Sequence, residues 1–539
     1  MSLRVLLYDF TDWSSAGGIP QIAYAISASF RIAWIVVCIA LMGVGVYQAF
    51  MILTKFFSYP SIIVPALQYG AIDFPEVTIC NSNPLRFDLV TKHKNDAYKD
   101  IYNWANQYAA MQAANWSEIS PDDYGINKGT DRYDKTIRGR ETIVLLMAAL
   151  SDAELKQGTY EAASIVRNCN FNNAECNASA FSTYYDATYG ACYTFNYNNV
   201  YQTQRAGSNY GLHLLMLVNQ MNPKGDRLFM PTTDAAGAYI STKPKGGDPA
   251  VETYGIGAPV GQNTQIGLTY TKISRLKKPY NDCTDDDEEV DLYYPNKTYT
   301  YDLCLRVCRQ KFIYEKIGCA DPRYGMLPNM TKCVFENLND LLKLRDDQNK
   351  SSPYYWDPDT MCTCKLPCAE TNIATTFTLA KAPTNYFSVM NNRYVPTSYN
   401  CYTTSTFGST NSCIAWYQQN SVVVSVYFET FDFDSLEETP SYSMSIMLNE
   451  FGGQLGLWLG FSIITIIECC CLVVMVCLYA IFGRKVVRRV NPEGAHESGD
   501  WRITDVHGLR DELDIHEYLD RQKARQYMAR MRENGVKNE

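Results

Sequence analysis

Two long runs of uncharged, apolar residues near the ends of this 539-residue chain constrain its architecture more than any other feature. The first extends from Ile32 to Thr54 without a charge, enough for ~35 Å of helix and so for one crossing of a hydrocarbon core of ~30 Å. The second extends from about Phe451 to Gly483 and is interrupted only by Glu468. It is longer than one crossing needs, so part of it is expected to bend or to project from the bilayer. The first run is too far into the chain and too long for a signal-peptide h-region, and no small-residue cleavage site follows it, so it reads as a retained anchor. Two crossings with a large segment between them define a multi-pass membrane protein.

Orientation follows from charge. Arg484, Lys485, Arg488 and Arg489 directly follow the second run, whereas Lys55 alone follows the first. Lysine and arginine collect on cytoplasmic flanks, which puts both termini in the cytoplasm. The division expected is a cytoplasmic N-terminus over 1–31, a first span over 32–54, an exterior over 55–449, a second span over 450–483 and a cytoplasmic tail over 484–539. Asn115, Asn177, Asn296, Asn329 and Asn349 each begin an N-x-Ser/Thr sequon, and all five fall in the exterior, where glycosylation takes place. Fourteen of the 19 cysteines lie there as well, an even set in a compartment that permits disulfides. The other five, Cys38, Cys469, Cys470, Cys471 and Cys477, lie in the spans and are expected to be reduced. Helix packing is preferred to palmitoylation for the triplet. Cys362, Cys364 and Cys368 with Cys304 and Cys308 have a spacing that zinc also uses, but an oxidising exterior favours disulfides, and no metal is expected. A net charge of -9 over so large an exterior argues against a nucleic-acid partner.

Within the exterior, Val77 to Cys80 reads as a strand near the first span and Val422 to Phe428 as an alternating β-branched strand near the second. Together they suggest one sheet that couples the exterior to the spans. Asn95 to Ser151 has helix-compatible spacing, and Asp302 to Lys316 is a second helical stretch with Cys304 and Cys308 one turn apart. Pro223 to Gly261 is dense in Gly, Pro and Thr and reads as turns and strand connections. Gly17-Gly18-Ile19-Pro20 reads as a non-helical turn before the first span. No internal repeat is found. The charged stretch from Arg510 to Glu533 reads as a solvated tail in preference to a docking helix.

The chemistry is concentrated in the second span. Gly452, Gly456 and Gly460 recur every four residues, and Ser462, Thr465 and Glu468 follow every three. Small residues at four-residue spacing let helix backbones approach, and a carboxylate inside a span must face protein or water. The segment therefore reads as pore-lining, against the alternative of a glycine packing face with one tolerated Glu468. Two helices cannot enclose an aqueous path without exposing backbone to lipid, so conduction requires an oligomer. Carbonyls near Gly460 and the Ser462 hydroxyl would replace part of an ion's hydration shell, with Glu468 favouring cations. Elsewhere, five histidines, no H-E-x-x-H, no G-x-S-x-G and no P-loop leave an ectoenzyme without a catalytic constellation. Asp285-Asp286-Asp287-Glu288-Glu289 reads as a solvated loop before it reads as a Ca²⁺ site. Tyr98, Tyr102, Trp104, Tyr108, Trp116 and Tyr124 fit a ligand pocket and the core of a helical subdomain equally.

In order along the chain, Phe74-Pro75-Glu76-Val77-Thr78-Ile79-Cys80-Asn81, Gly190-Ala191-Cys192-Tyr193-Thr194-Phe195-Asn196, Tyr254 to Gly261, the cysteine block from Cys304 to Cys368 and Gly460-Phe461-Ser462 form one pattern. In that pattern the sequence resembles the degenerin and epithelial sodium channel superfamily, from Gly17 to Glu468. The resemblance implies a sodium-selective, amiloride-sensitive channel without cofactor, a homotrimer in the plasma membrane. Each subunit would have two transmembrane helices and a disulfide-rich α+β ectodomain of finger, thumb, palm, knuckle and β-ball. Gly460, Phe461 and Ser462 look like the selectivity filter, Gly456, Thr465 and Glu468 like pore positions, and Asn449 like the site outside the pore where bulky residues hold degenerins open. The pairing it suggests is Cys80 with Cys192, Cys169 with Cys176, Cys283 with Cys368, Cys304 with Cys364, Cys308 with Cys362 and Cys319 with Cys333, leaving Cys401 with Cys413.

Departures from the pattern bear on the stimulus. The family's intracellular His-Gly gating motif stands here as Gly17-Gly18, and the proton-sensing histidine of the acid-sensing members falls at Pro60. Lys135 to Arg140 is a poor match for the finger protease sites of epithelial members. The whole looks most like the invertebrate peptide-gated branch opened by FMRFamide. The implied partners are an extracellular peptide, amiloride as blocker, the lipid bilayer and two further copies of the chain; the residues that hold the peptide are not identified by the resemblance.

Overall fold

The computed structural model describes residues 10–11, 14–15, 17–70, 72–203, 205–345, 348–384, 401 and 407–482. Gly483, the orienting charges Arg484, Lys485, Arg488 and Arg489, and the stretch from Arg510 to Glu533 lie outside the described residues. Helices of ten residues or more are α1 (Ala28–Phe57), α2 (Lys99–Ala113), α3 (Arg132–Ala148), α4 (Tyr301–Ile317), α5 (Thr410–Asn420), α6 (Met444–Leu459) and α7 (Ile463–Phe482). Strands of four residues or more are β1 (Ser61–Tyr69), β2 (Glu76–Asn81), β3 (Val166–Phe171), β4 (Phe181–Asp186), β5 (Gly190–Phe195), β6 (Leu212–Leu217), β7 (Gly237–Lys243), β8 (Ile256–Pro259), β9 (Gln262–Ser274), β10 (Ala369–Lys381), β11 (Ser421–Phe428) and β12 (Asp432–Pro440). The chain divides into two compact units, Ser61–Ser441 and the two terminal portions Met1–Pro60 and Tyr442–Glu539.

Unit Ser61–Ser441 is built on two main sheets. The larger has eight strands, in the order β1-β12-β9-β11-β6-β3 followed by the short strand Ala174–Glu175, with β10 also paired to β9. The smaller has five strands, in the order β8-β7-β2-β5-β4. β5 is buried along its whole length and β2 nearly so, and the threonines among their apolar residues, Thr78 and Thr194, pair their hydroxyls across the strands at 2.9 Å. Phe74 packs edge-on against Phe171, Phe195 and Phe428 at centroid distances of 4.9, 6.2 and 6.0 Å, a geometry that aromatic quadrupoles favour. The expectation of one coupling sheet made from Val77 to Cys80 and Val422 to Phe428 fails here. β2 is in the smaller sheet and β11 in the larger, and Phe74, just before β2, packs edge-on against Phe428 of β11. The strands that adjoin the spans in sequence are β1 and β12, paired antiparallel from Ser61↔Pro440 to Tyr69↔Asp432.

Two insertions complete this unit. Between β2 and β3, α2 turns Ile101, Trp104, Ala105, Tyr108 and Met111 inward, the 3-4 spacing of an amphipathic helix. α3 begins at Asp131, whose side chain accepts the Asp134 N–H as an N-cap. Between β9 and β10, which pair from Gln262↔Lys381 to Ser274↔Ala369, the chain makes the cysteine-rich block around α4. That helix opens on a Thr300 cap and closes on Gly318 at φ 83°. Seven disulfides join Cys80 to Cys192, Cys169 to Cys176, Cys283 to Cys368, Cys304 to Cys364, Cys308 to Cys362, Cys319 to Cys333 and Cys401 to Cys413. Cys80 and Cys192 face each other across β2 and β5. α3 is clamped to the cysteine-rich block by ion pairs centred on two buried carboxylates: Glu141 Oε1 accepts from Arg323 at 2.9 Å and Arg345 at 2.6 Å, and Arg323 also pairs with the fully buried Asp321.

In the unit formed by the terminal portions, α1 is long and apolar enough to cross a membrane, and α6 with α7 passes the same test as a pair bent by 78°. α1 and α6 pack through Ile52, Tyr442 and Met447, with Phe56 and Phe451 alongside.

Candidate functional site: the break between α6 and α7

The bend has a local cause. Gly460 stands at φ 64° and ψ 23°, the left-handed region that ends α6 and that glycine enters without a Cβ penalty. Its N–H donates to the Gly456 carbonyl at 3.1 Å, and the Phe461 N–H to Leu455 at 3.3 Å. The next helix restarts at once. Ser462 Oγ accepts the Thr465 N–H at 3.3 Å, while Thr465 Oγ1 accepts the Ser462 N–H at 3.2 Å, a reciprocal cap of the first turn of α7. A helix C-terminus and a helix N-terminus thus meet at Phe461, so the negative end of one helix dipole and the positive end of the next face the same few ångströms.

The N-terminal segment lies against this break. The Gly17 N–H donates to the Leu459 carbonyl at 3.2 Å. The Ser15 N–H donates to Glu468 Oε2 at 2.8 Å, and the Ser15 hydroxyl lies 2.6 Å from Thr465 Oγ1 and 3.0 Å from the same Glu468 oxygen. Gly18, at φ 86°, opens the short helix Ile19–Ala23, and a Cβ there would fall 2.4 Å from Cys38 Sγ of α1. Only glycine fits both the conformation and the approach.

These contacts give the three glycines different roles. Gly460 is a break, not a step in a continuing helix face, and among the described residues a Cβ on Gly452 would meet nothing within 4 Å. Gly456 would meet only the Phe461 carbonyl at 3.6 Å. Thr465 is buried and Glu468 half-buried, and both are engaged by Ser15. Sequence reasoning missed Ser15, because nothing in the spacing of residues 14–18 announces a contact with residues 450 positions away. Asn449 is exposed on α6. Its neighbour Glu450 pairs with Lys55 of α1 at 3.6 Å and accepts the Tyr442 hydroxyl at 2.5 Å.

In the other unit, the aromatic run is core. Tyr98, Trp104 and Tyr108 are fully buried, Tyr124 is buried, and Tyr102 and Trp116 pack against them, so the pocket reading is set aside. The acidic run finds protein partners: Asp285 pairs with Lys277 at 2.9 Å and accepts the Ala369 N–H, and Asp287 caps the helix Glu288–Tyr293. The Lys277 ammonium holds the Asp285 carboxyl below the usual carboxylate range. No group of three or more His, Cys, Asp or Glu suited to a metal occurs among the described residues. Asn115, Asn177, Asn296, Asn329 and Asn349 are all exposed.

Residues 10–472 match the family model of the amiloride-sensitive sodium channel. The chain belongs to the amiloride-sensitive sodium channel family. Its members are plasma-membrane ion channels and not enzymes, and their permeant ion is Na⁺. The chain is 31% identical over 511 residues to degenerin-like protein asic-2 of Caenorhabditis elegans, covering 94% of this chain and 92% of that one. It is 31% identical over 350 residues to degenerin unc-8 and 27% identical over 412 residues to degenerin mec-10 of the same nematode. It spans 43% and 54% of those two longer relatives. Within this sodium channel family, the stretch matched takes in α1, the disulfide-rich unit, the Gly460 break and Glu468.

Proposed function

We propose that this chain is a subunit of a homotrimeric, amiloride-blocked sodium channel whose ion path passes the break between α6 and α7, and that an extracellular peptide of the amidated FMRFamide kind opens it. Both termini lie in the cytoplasm and residues 55–449 outside. The observation that carries the reading is the break itself: a left-handed Gly460 followed by the capped Ser462 and by Thr465 and Glu468, the only polar side chains of the segment Gly460 to Glu468.

At such a break, peptide carbonyls and hydroxyls stand in for part of an ion's water shell. Glu468 holds negative charge below it, and Ser15 fixes the carboxylate by two hydrogen bonds. One chain has too few helices to enclose a path. Apolar groups left uncovered on β1 and β10, among them Ile63, Leu67 and Phe377 at 65%, 55% and 58% exposure, support cover by further copies. Support for a ligand other than the proton comes from Pro60, which has no titratable group where the acid-sensing members carry histidine.

The test is voltage clamp on cells that express this chain alone, with amiloride, acid and amidated peptides applied in turn. The expected result is a peptide-evoked, amiloride-blocked inward sodium current without an acid response. An acid-evoked or standing current would overturn the peptide stimulus but keep the channel. Silence of chain present at the surface would overturn a self-sufficient homomer.

A further inference from the structure

We propose that Glu438 is a positioning residue for gating: its carboxylate ties the base of the cysteine-rich block to the two-stranded ribbon that leads into both spans. The inference rests on the reading of this chain as a channel.

The ladder geometry isolates the residue. β12 pairs with β9 in parallel from Thr271↔Asp434 to Ser274↔Glu437, and there the ladder stops. Beyond Glu437, β12 is paired only with β1, down to Ser61↔Pro440. After Ser274 the other strand leaves for the cysteine-rich block. Across that parting Glu438 is the side chain that bridges. Its Oε1 accepts the Ser61 hydroxyl at 2.5 Å, and its Oε2 accepts the Leu276 N–H at 2.8 Å, with Asn281 Nδ2 at 3.5 Å.

The turn it grips is stiff. The Arg275 N–H donates to the Cys368 carbonyl at 2.7 Å, Arg275 pairs with Glu370 at 3.0 Å, and Cys283 is bonded to Cys368. At the far end of the block the buried Glu141 of α3 pairs with Arg323 and with the more exposed Arg345. A buried ion pair is costly to part, so α3 and the cysteine-rich block move as one body. Movement of that body therefore reaches the ribbon through the ladder end and Glu438. Hydrogen bonds to a charged acceptor are the stronger kind, and this one joins three segments at once.

The test uses the full chain in oocytes, as wild type, Glu438→Gln, Glu438→Ala, Ser61→Ala and the double variant Ser61→Ala with Glu438→Ala. FMRFamide is applied at stepped concentrations, and the same four changes are placed on Asn449→Phe to read amiloride-blockable standing current. Glu438→Ala should lower the open-to-closed ratio by about five- to thirtyfold, seen as a raised half-activating peptide concentration or a reduced standing current. Surface density and the Na⁺/K⁺ reversal potential should not change. Glu438→Gln, which keeps the side-chain shape and one of the two acceptor oxygens, should recover part of the loss. Ser61→Ala should add little once Glu438 is gone, because the two act through one bond. Currents with wild-type open ratios in Glu438→Ala, or a loss explained wholly by fewer channels at the surface, overturn the inference alone. Absence of any amiloride-blockable current from every form, with chain at the surface, overturns the channel reading and the inference with it.

Discussion

Replacement of Gly460 by alanine tests the break directly. An L-residue in the left-handed region costs roughly 1–2 kcal/mol relative to glycine, and the new Cβ would stand 3.2 Å from Gly17 N and 3.3 Å from Gly17 Cα, with backbone on the far side and little room to yield. The same residue in a right-handed helix would be favoured by about 1 kcal/mol over glycine. Both effects push towards running α6 on into α7, which would dissolve the Ser462 and Thr465 cap and displace Gly17. A total of ~2–3 kcal/mol corresponds to a shift of about thirty- to two-hundredfold in the balance between broken and straightened forms. Gly456→Ala is the control, since it is inside α6 and its added carbon would meet only the Phe461 carbonyl at an ordinary 3.6 Å. Both variants are expressed, counted at the surface by biotinylation and assayed for reversal potential in mixed Na⁺ and K⁺. Gly460→Ala should lose sodium preference or current at normal surface density, and Gly456→Ala should keep both. Wild-type selectivity in Gly460→Ala would refute the argument, as would equal losses in the two.

Ser15→Ala removes the hydroxyl that lies between Thr465 and Glu468 but keeps the N–H bond to Glu468; at ~0.5–1.5 kcal/mol per bond lost, the Na⁺/K⁺ ratio should relax by less than in Gly460→Ala, and an unchanged ratio would remove residue 15 from the path. Glu141→Ala leaves Arg323 without one partner in a buried network, so the detergent-solubilised chain should lose ~3–5 kcal/mol of stability, read as an earlier thermal aggregation onset. Trp104→Ala, at ~3–5 kcal/mol for a buried aromatic, should reduce surface density without altering the current per channel; normal density with lost peptide response would restore the pocket reading. The Ser61 hydroxyl, and with it the Leu276 N–H, holds Glu438 below the usual carboxylate range. The folded value is depressed, so the contribution of Glu438 is complete above the unfolded carboxylate pKa and is lost only as pH falls through the lowered one. Between about pH 6 and 7.5, wild type and Glu438→Gln should therefore show the same pH response, and a response present only in wild type would contradict the assignment.

Much of this protein can be read from sequence because it depends on chemistry that is local along the chain. An uncharged run from Ile32 to Thr54 has few options but a helix in lipid, and the observed α1, Ala28–Phe57, contains it. The second run was too long for one straight crossing, and the break comes where a glycine can turn left-handed. The alternation in Val422 to Phe428 and the spacing of Ile101, Trp104, Tyr108 and Met111 state their periods directly. The six cysteine pairs implied by the family order, with Cys401 and Cys413 left over as a seventh, are the pairs that the structure contains. Tertiary structure decided what depends on residues far apart. It separated β2 from β11 into different sheets, because strand partnership is set by which edges meet and not by closeness to a span in sequence. It settled the aromatics as core, since a helix face reads the same whether a ligand or another helix covers it. It brought Ser15 to Glu468 and Ser61 to Glu438, hydrogen bonds whose partners stand hundreds of residues apart. A hydroxyl and a carboxylate carry no address in sequence, and only the folded backbone brings them within reach.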